Sequence, residues 1–145
     1  MREALLEARK AAESSEIPVG AVIVAPTGSI IGRGHNAPLT VNDPTAHAEI
    51  MAIRDAAANL ENYRLNDCVM AVTLEPCLMC VGAVVHARLA GVVFGAADPK
   101  AGAVLSQTNG FELSLHNHVP WQAGGILEEE CAALLRDFFA ARRGK

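Results

Sequence analysis

The chain has 145 residues, 51% of them apolar and 19% charged, with a formal net charge of -4. That length accommodates one core, so residues 1–145 are expected to form a single domain. No apolar run approaches the roughly 20 residues of a membrane helix, and the acidic balance argues against a generic polyanion binder while leaving room for a local basic patch.

Met1, Arg2, Glu3, Ala4, Leu5 and Leu6 mix charge with apolar residues and lack the core of a secretory signal, which points to the cytosol. Leu5, Ala8 and Ala12 recur at helical spacing up to the Ser14–Ser15 pair. "PVGAVIVA" (18–25) is a continuous apolar run that reads as a strand buried on both faces. "PTGS" (26–29) has turn chemistry, and residues 30–34 can return as an antiparallel partner. Residues 35–43 look too irregular for either element.

Ile50, Ile53, Ala57 and Leu60 predict a helix, with Asp43, Pro44 and Thr45 marking its start. "VMAVTL" (69–74) and "GVVFGA" (91–96) read as further buried strands, separated by a helix opening at Pro76. This alternation predicts an α/β sheet with helices on its faces. Residues 98–119 are too long for a plain connection and make a candidate functional loop. Residues 119–122 fit a short strand that Pro120 confines to an edge. Leu127, Cys131, Leu134, Leu135 and Phe138 stripe a last helix, whose end carries Arg136, Arg142, Arg143 and Lys145.

Of the four cysteines, Cys68 and Cys131 lie in apolar surroundings and read as small buried hydrophobes. Cys77 and Cys80 differ. At i and i+3 they share one side of a helix, and near its N-terminus the free N–H groups and the dipole favour thiolates. Alone, the pair could be a redox couple or half of a structural zinc site.

His47 offers a third ligand, and three protein ligands with a fourth position open describe a catalytic zinc. Glu49, two residues on, lies about 200° around a regular helix, so it can address what the metal binds without ligating it. A metal there acidifies water, and Glu49 would take the proton and hand it on. That chemistry suits hydrolytic removal of an amino group from a carbon flanked by ring nitrogens.

"HAEI" with "PCLMC" matches the H-x-E…P-C-x-x-C signature of zinc-dependent nucleobase deaminases. "IPVGAV", "NDPTAHAEIMAIRDAA", "NYRL", "VTLEPCLMCVGA", "VVFGAADPKAGA", "GGIL" and "DFFAARR" extend the match along nearly the whole chain. Together they resemble the bacterial tRNA-specific adenosine deaminases of the cytidine/deoxycytidylate deaminase-like superfamily.

The resemblance implies a three-layer α/β/α fold with a mixed five-stranded sheet, one zinc per subunit and a homodimer. It implies metal ligands at His47, Cys77 and Cys80, and a proton shuttle at Glu49. It places substrate contacts at Asn36, Ala48, Asp98, Lys100, Asn117 and His118, with Phe138, Phe139, Arg142 and Arg143 near the RNA. The implied partner is a tRNA anticodon stem-loop, whose wobble adenosine becomes inosine. Two other readings stay open: a free-base or nucleoside deaminase with the same chemistry, and a non-catalytic zinc module that binds RNA. Val119 replaces an expected basic residue after Asn117–His118, and Asp98 is followed by proline.

Overall fold

The computed structural model of residues 1–145 places a five-stranded sheet between two layers of helix. The strands are β1 (Gly20–Val24), β2 (Ile30–His35), β3 (Val69–Leu74), β4 (Gly91–Ala96) and β5 (Trp121–Ala123), in the spatial order β2-β1-β3-β4-β5. β1 runs antiparallel to both neighbours, whereas β3, β4 and β5 are parallel. Four strands therefore point one way and β1 alone reverses, so the mixed sheet matches the expectation.

Alternation along the strands feeds both faces. Val22 and Ala71 meet Ala4 of helix α1 (Arg2–Glu13), and Ala96 meets Cys131 of helix α5 (Glu128–Arg143). Ala21, Ile23, Met70, Val72, Val92 and Phe94 face the larger core under helices α3 (Ala48–Leu60) and α4 (Leu78–His86). Each fully buried aliphatic side chain there contributes about 1.5–3 kcal/mol.

The helical stripe expected on α3 is only partly buried: Ile53 and Ala57 pack against the core, but the fully buried line lies beside it. Ala48, Ala52 and Ala56 face inward, while Leu60 is exposed. The reason lies on β2: a Cβ on Gly32 would sit 2.5 Å from the Ala52 carbonyl oxygen and 2.7 Å from the Ala56 nitrogen. α3 thus lies backbone against backbone on β2, and only small residues fit between them.

Three boundaries also differ from the expectations. Residues 35–43 contain the end of β2 and a short helix, α2 (Pro38–Val41). α3 starts at Ala48, because Asp43 turns its carboxylate onto Thr45, accepting from its N–H at 2.8 Å and its hydroxyl at 2.7 Å. α4 starts at Leu78, with Cys77 as its N-cap and Pro76 outside. On α5, Phe138 is half-buried and Phe139 is exposed, so neither is a core residue. Cys68 and Cys131 are buried as expected. β5 forms the sheet edge immediately after Pro120.

Candidate metal centre and active site

β2, β3 and β4 point the same way, so their carboxyl ends open at one edge of the sheet, where ligands bind in α/β folds. β2 leads through Asn36 and α2 to His47, and β3 leads to Cys77 and Cys80. His47 and Cys77 are the N-caps of α3 and α4, both in extended conformation, and Cys80 lies in the first turn of α4. Two helix N-termini therefore face one point, and their dipoles favour negative charge there.

His47, Cys77 and Cys80 present ligand atoms that all lie within 4.8 Å of one another. His47 Nδ1 is 3.6 Å from each sulfur. A tetrahedral zinc with bonds of about 2.3 Å to sulfur and 2.05 Å to nitrogen would separate those atoms by about 3.6 Å. The three residues fit zinc in donor type and in spacing.

The protonation of the cluster follows from its geometry. The hydrogen bond with Cys80 draws the Cys77 thiol down to about 4. The same bond, together with burial, pushes Cys80 far above the ordinary thiol range. The bond with Cys77 also raises His47. Of the two thiols, Cys77 is therefore the one favoured as thiolate.

Glu49 is buried on the second residue of α3 and is not one of the converging ligands. Burial raises its carboxyl to about 7; its own backbone N–H opposes the rise and the Cys77 charge adds to it. A carboxyl poised near neutrality suits proton transfer in both directions. Asn36 stands beside the cluster: its Oδ1 accepts the Ala48 N–H at 3.0 Å, and its own N–H bonds the Val19 carbonyl at 3.1 Å.

The remaining expected residues divide. Asp98 Oδ1 accepts the N–H groups of Lys100 and Ala101 at 3.0 and 3.2 Å, so this carboxylate shapes its own turn. Lys100 is exposed and lines a cleft of about 510 Å³ with Arg136, Phe139, Arg142 and Arg143. Asn117 accepts a 2.7 Å bond from Arg88, and His118 Nε2 lies 2.7 Å from the Leu89 carbonyl. Ala90 bonds the Cys68 carbonyl just before β3 begins, so Arg88 and Leu89 sit at the amino ends of the parallel strands. The expected contacts at Asn117 and His118 are therefore not brought to the metal cluster within one chain, because the α4–β4 turn holds both residues at the far end of the sheet.

Sequence reasoning assigned no role to Glu75 or Glu16. Both are buried carboxylates that accept hydrogen bonds from backbone N–H groups distant in the chain, Glu16 from Thr40 of α2 at 2.7 Å and Glu75 from the loop after β4. No local pattern marks such a residue, since its donors are distant in the chain.

A mixed α/β/α sheet with a His-Cys-Cys cluster and a neighbouring buried glutamate defines a zinc-dependent hydrolytic enzyme. The profile of the cytidine and deoxycytidylate deaminase zinc-binding region matches residues 1–96, and the chain belongs to that deaminase family. It is 49% identical over 143 residues to the tRNA-specific adenosine deaminase of Haemophilus influenzae, covering 99% of this chain and 83% of the relative. It is 47% identical to the tRNA(Ile)-lysidine synthase of Deinococcus radiodurans, but spans only 24% of that protein. A solved structure from work on A-to-I editing by tRNA:A34 deaminases at the wobble position superposes with a TM-score of 0.90 at 44% identity. That match covers 93% of this chain and 97% of the other.

Proposed function

We propose that residues 1–145 act as one domain that hydrolytically deaminates adenosine to inosine at the wobble position of a tRNA anticodon. The zinc-site geometry supports the chemistry, and the near full-length similarity to tRNA-specific adenosine deaminases supports the substrate. The observation within the structure that favours an RNA is the basic cleft. Lys100, Arg136, Arg142 and Arg143 line it beside exposed Phe139, although the whole chain carries a net charge of -4. A free-base enzyme needs no such cleft, whereas a polynucleotide presents phosphates to the cations and bases to the ring.

His47 Nδ1 and the sulfurs of Cys77 and Cys80 would hold the zinc, which when bound would supply acidification of the attacking water. Glu49 takes a proton from the attacking water and delivers it to the ring nitrogen beside the carbon that carries the amino group. The carboxylate then takes the remaining proton of the added hydroxyl and hands it to the amino group as the carbon–nitrogen bond breaks, so that adenosine and water give inosine and ammonia. Asn36 and the start of α3 at Ala48 position the base, Asn36 through its Nδ2 donor, since its Oδ1 is engaged. Lys100 contacts the nucleotide backbone.

A homodimer belongs to this reading. Leu78 and Met79 are exposed on α4, and nothing approaches Gly82 one turn further on, so that helix presents an uncovered apolar face. A second copy is the occupant we assign, tested by the mass of the protein in solution. No helix is long and apolar enough to cross a membrane. A cytoplasmic setting belongs to the same reading, since it follows from the proposed tRNA substrate.

The test is incubation of zinc-loaded protein with tRNA bearing a wobble adenosine, beside free guanine, cytosine and cytidine. Inosine in the tRNA, with the small substrates unchanged, is the expected result. Turnover of a free base with none of the tRNA would overturn the substrate.

A further inference from the structure

The carboxylate of Glu75 has no part in the chemistry above, yet it is 2% exposed and carries more hydrogen bonds than any residue of the site. It closes β3, one residue before Pro76 and two before the metal ligand Cys77. Its Oε2 receives three successive backbone N–H groups, from Val104, Leu105 and Ser106, at 3.1, 3.0 and 3.0 Å. Its Oε1 receives the Asp98 N–H at 3.2 Å and the Ser106 hydroxyl at 2.5 Å. Next to it, the Pro76 carbonyl accepts the Ala103 N–H at 2.9 Å.

Consecutive N–H groups converging on one point form an anion-binding concavity. Here the protein's own carboxylate fills it. Both ends of the 98–106 loop are thereby tied to the segment that carries Cys77. A Cβ on Gly102 would collide with the Glu75 carboxyl group and stand 2.6 Å from the Asp98 carbonyl oxygen, so the close approach needs glycine there. The loop's free product is Lys100, which reaches the basic cleft formed with α5.

We propose that Glu75 is a positioning residue for substrate: it locks the 98–106 loop onto the metal-bearing segment so that Lys100 meets the RNA backbone in register with the zinc site. This rests on the RNA reading above. The carboxylate acts through the loop and touches no reacting atom. It governs how well the RNA binds, more than how fast bound RNA reacts. An interaction equally present in ground and transition states shows in KM with kcat unchanged. An isosteric Glu75→Gln change keeps the shape but turns an NH2 group toward N–H donors.

The experiment measures kcat and KM for inosine formation on an anticodon stem-loop with a wobble adenosine, together with zinc content. It uses wild type, Glu75→Gln, Gly102→Ala, Lys100→Ala and the double variants with Lys100→Ala. Glu75→Gln and Gly102→Ala should each raise KM roughly tenfold or more, the equivalent of one lost charge-assisted hydrogen bond, with zinc and kcat largely kept. Each should also lower the slope of log affinity against log salt by about 1, the loss of one phosphate contact. In either background, Lys100→Ala should add little, because the contact is already misplaced.

Full additivity with Lys100→Ala would overturn the proposal. So would an unchanged KM, or a loss confined to zinc content and kcat. If Glu75→Gln does not yield soluble protein, Gly102→Ala decides, since it disturbs the same contact from the loop side. A wild type that makes no inosine refutes the RNA reading, and this inference with it. An active wild type with indifferent variants refutes the positioning role alone.

Discussion

The side-chain oxygen of Asn36 accepts the backbone N–H of Ala48 at 3.0 Å, so the residue directly after β2 also caps the helix that follows His47. His47 is the N-cap by position, but its imidazole makes no capping bond. Its ring is turned to the sulfurs, leaving α3 to be capped from twelve residues upstream. Metal binding and helix capping are divided between two residues for that reason.

Substitutions at Asn36 should separate its two roles. Asn36→Ala should cost about 1 kcal/mol of stability, as a lost N-cap does, and should also impair turnover. Asn36→Asp keeps the acceptor and puts negative charge at a helix N-terminus, so stability should hold. It lacks the Nδ2 donor, so turnover should still fall. Denaturant unfolding beside the inosine assay checks both, and a fully active Asn36→Asp enzyme would show that the donor is not used.

Glu49→Gln should bind zinc as wild type does, because Glu49 is not among the converging ligands. Its turnover should fall about 10²- to 10⁴-fold, the usual contribution of a positioned acid–base. Metal analysis on the same preparation used for kinetics makes the comparison. Zinc loss in parallel with activity would reassign Glu49 to metal binding.

Chelation should lower stability, since the ion binds the folded cluster and not the separated ligands. With free zinc a hundredfold above its dissociation constant, the loss is about 2.7 kcal/mol, or about 9 °C in Tm for a chain of this size. Added zinc should restore it. Cys77→Ser removes the thiolate of the pair, and its Tm should respond far less to chelator or zinc.

Glu7 sets an acid limit on stability. It is buried on α1, and burial by itself would raise its carboxyl. Hydrogen bonds from Lys10 at 2.8 Å and His35 at 3.1 Å, with their charges, outweigh this and hold it below the ordinary carboxylate value of 4.5. In that window the unfolded chain binds the proton more readily than the folded one, so stability rises with pH. The contribution is fully present above 4.5 and is lost as pH falls through the lower folded value. Wild type should therefore be more stable than Glu7→Gln above pH 4.5, and the difference should close in stronger acid. A difference independent of pH would mean that Glu7 acts by packing alone. His35 directly precedes Asn36, so this pair also fastens α1 to the carboxyl end of β2.

Much of the site was legible because its chemistry is local. Cys77 and Cys80 at i and i+3 announce a shared helix face. The spacing of two between His47 and Glu49 separates the converging ligand from the carboxylate proposed to carry the proton. Strand cores with continuous apolar runs were equally plain, since burial on both faces leaves no polar alternation to misread. The stripe on α3 found the helix, and Ile53 and Ala57 do pack on the core, but it missed the fully buried line, which is set by alanines; alanine at a helix position signals burial only when the opposing surface is known. Asp43 looked like a helix cap and is an Asx turn; both uses employ the same carboxylate two residues from its donor.

The sequence by itself determined the donor types, the shared helix face of Cys77 and Cys80 and the alternation of strands and helices, because residue type is read directly and the rest depends on residues within one or two turns of each other; the two helix starts it placed a few residues early. Only the tertiary structure decided that His47 and Cys77, thirty residues apart, put their atoms 3.6 Å from each other. That depends on the reversal of β1, which aligns the carboxyl ends of β2 and β3, and on glycines in β2 that let α3 approach. Only the tertiary structure moved Asn117 and His118 to the far end of the sheet and filled the 98–106 loop with Glu75. Strand pairing and loop closure join residues whose separation leaves no periodic trace along the chain. A side chain's partners there become known only once the backbone has brought them together.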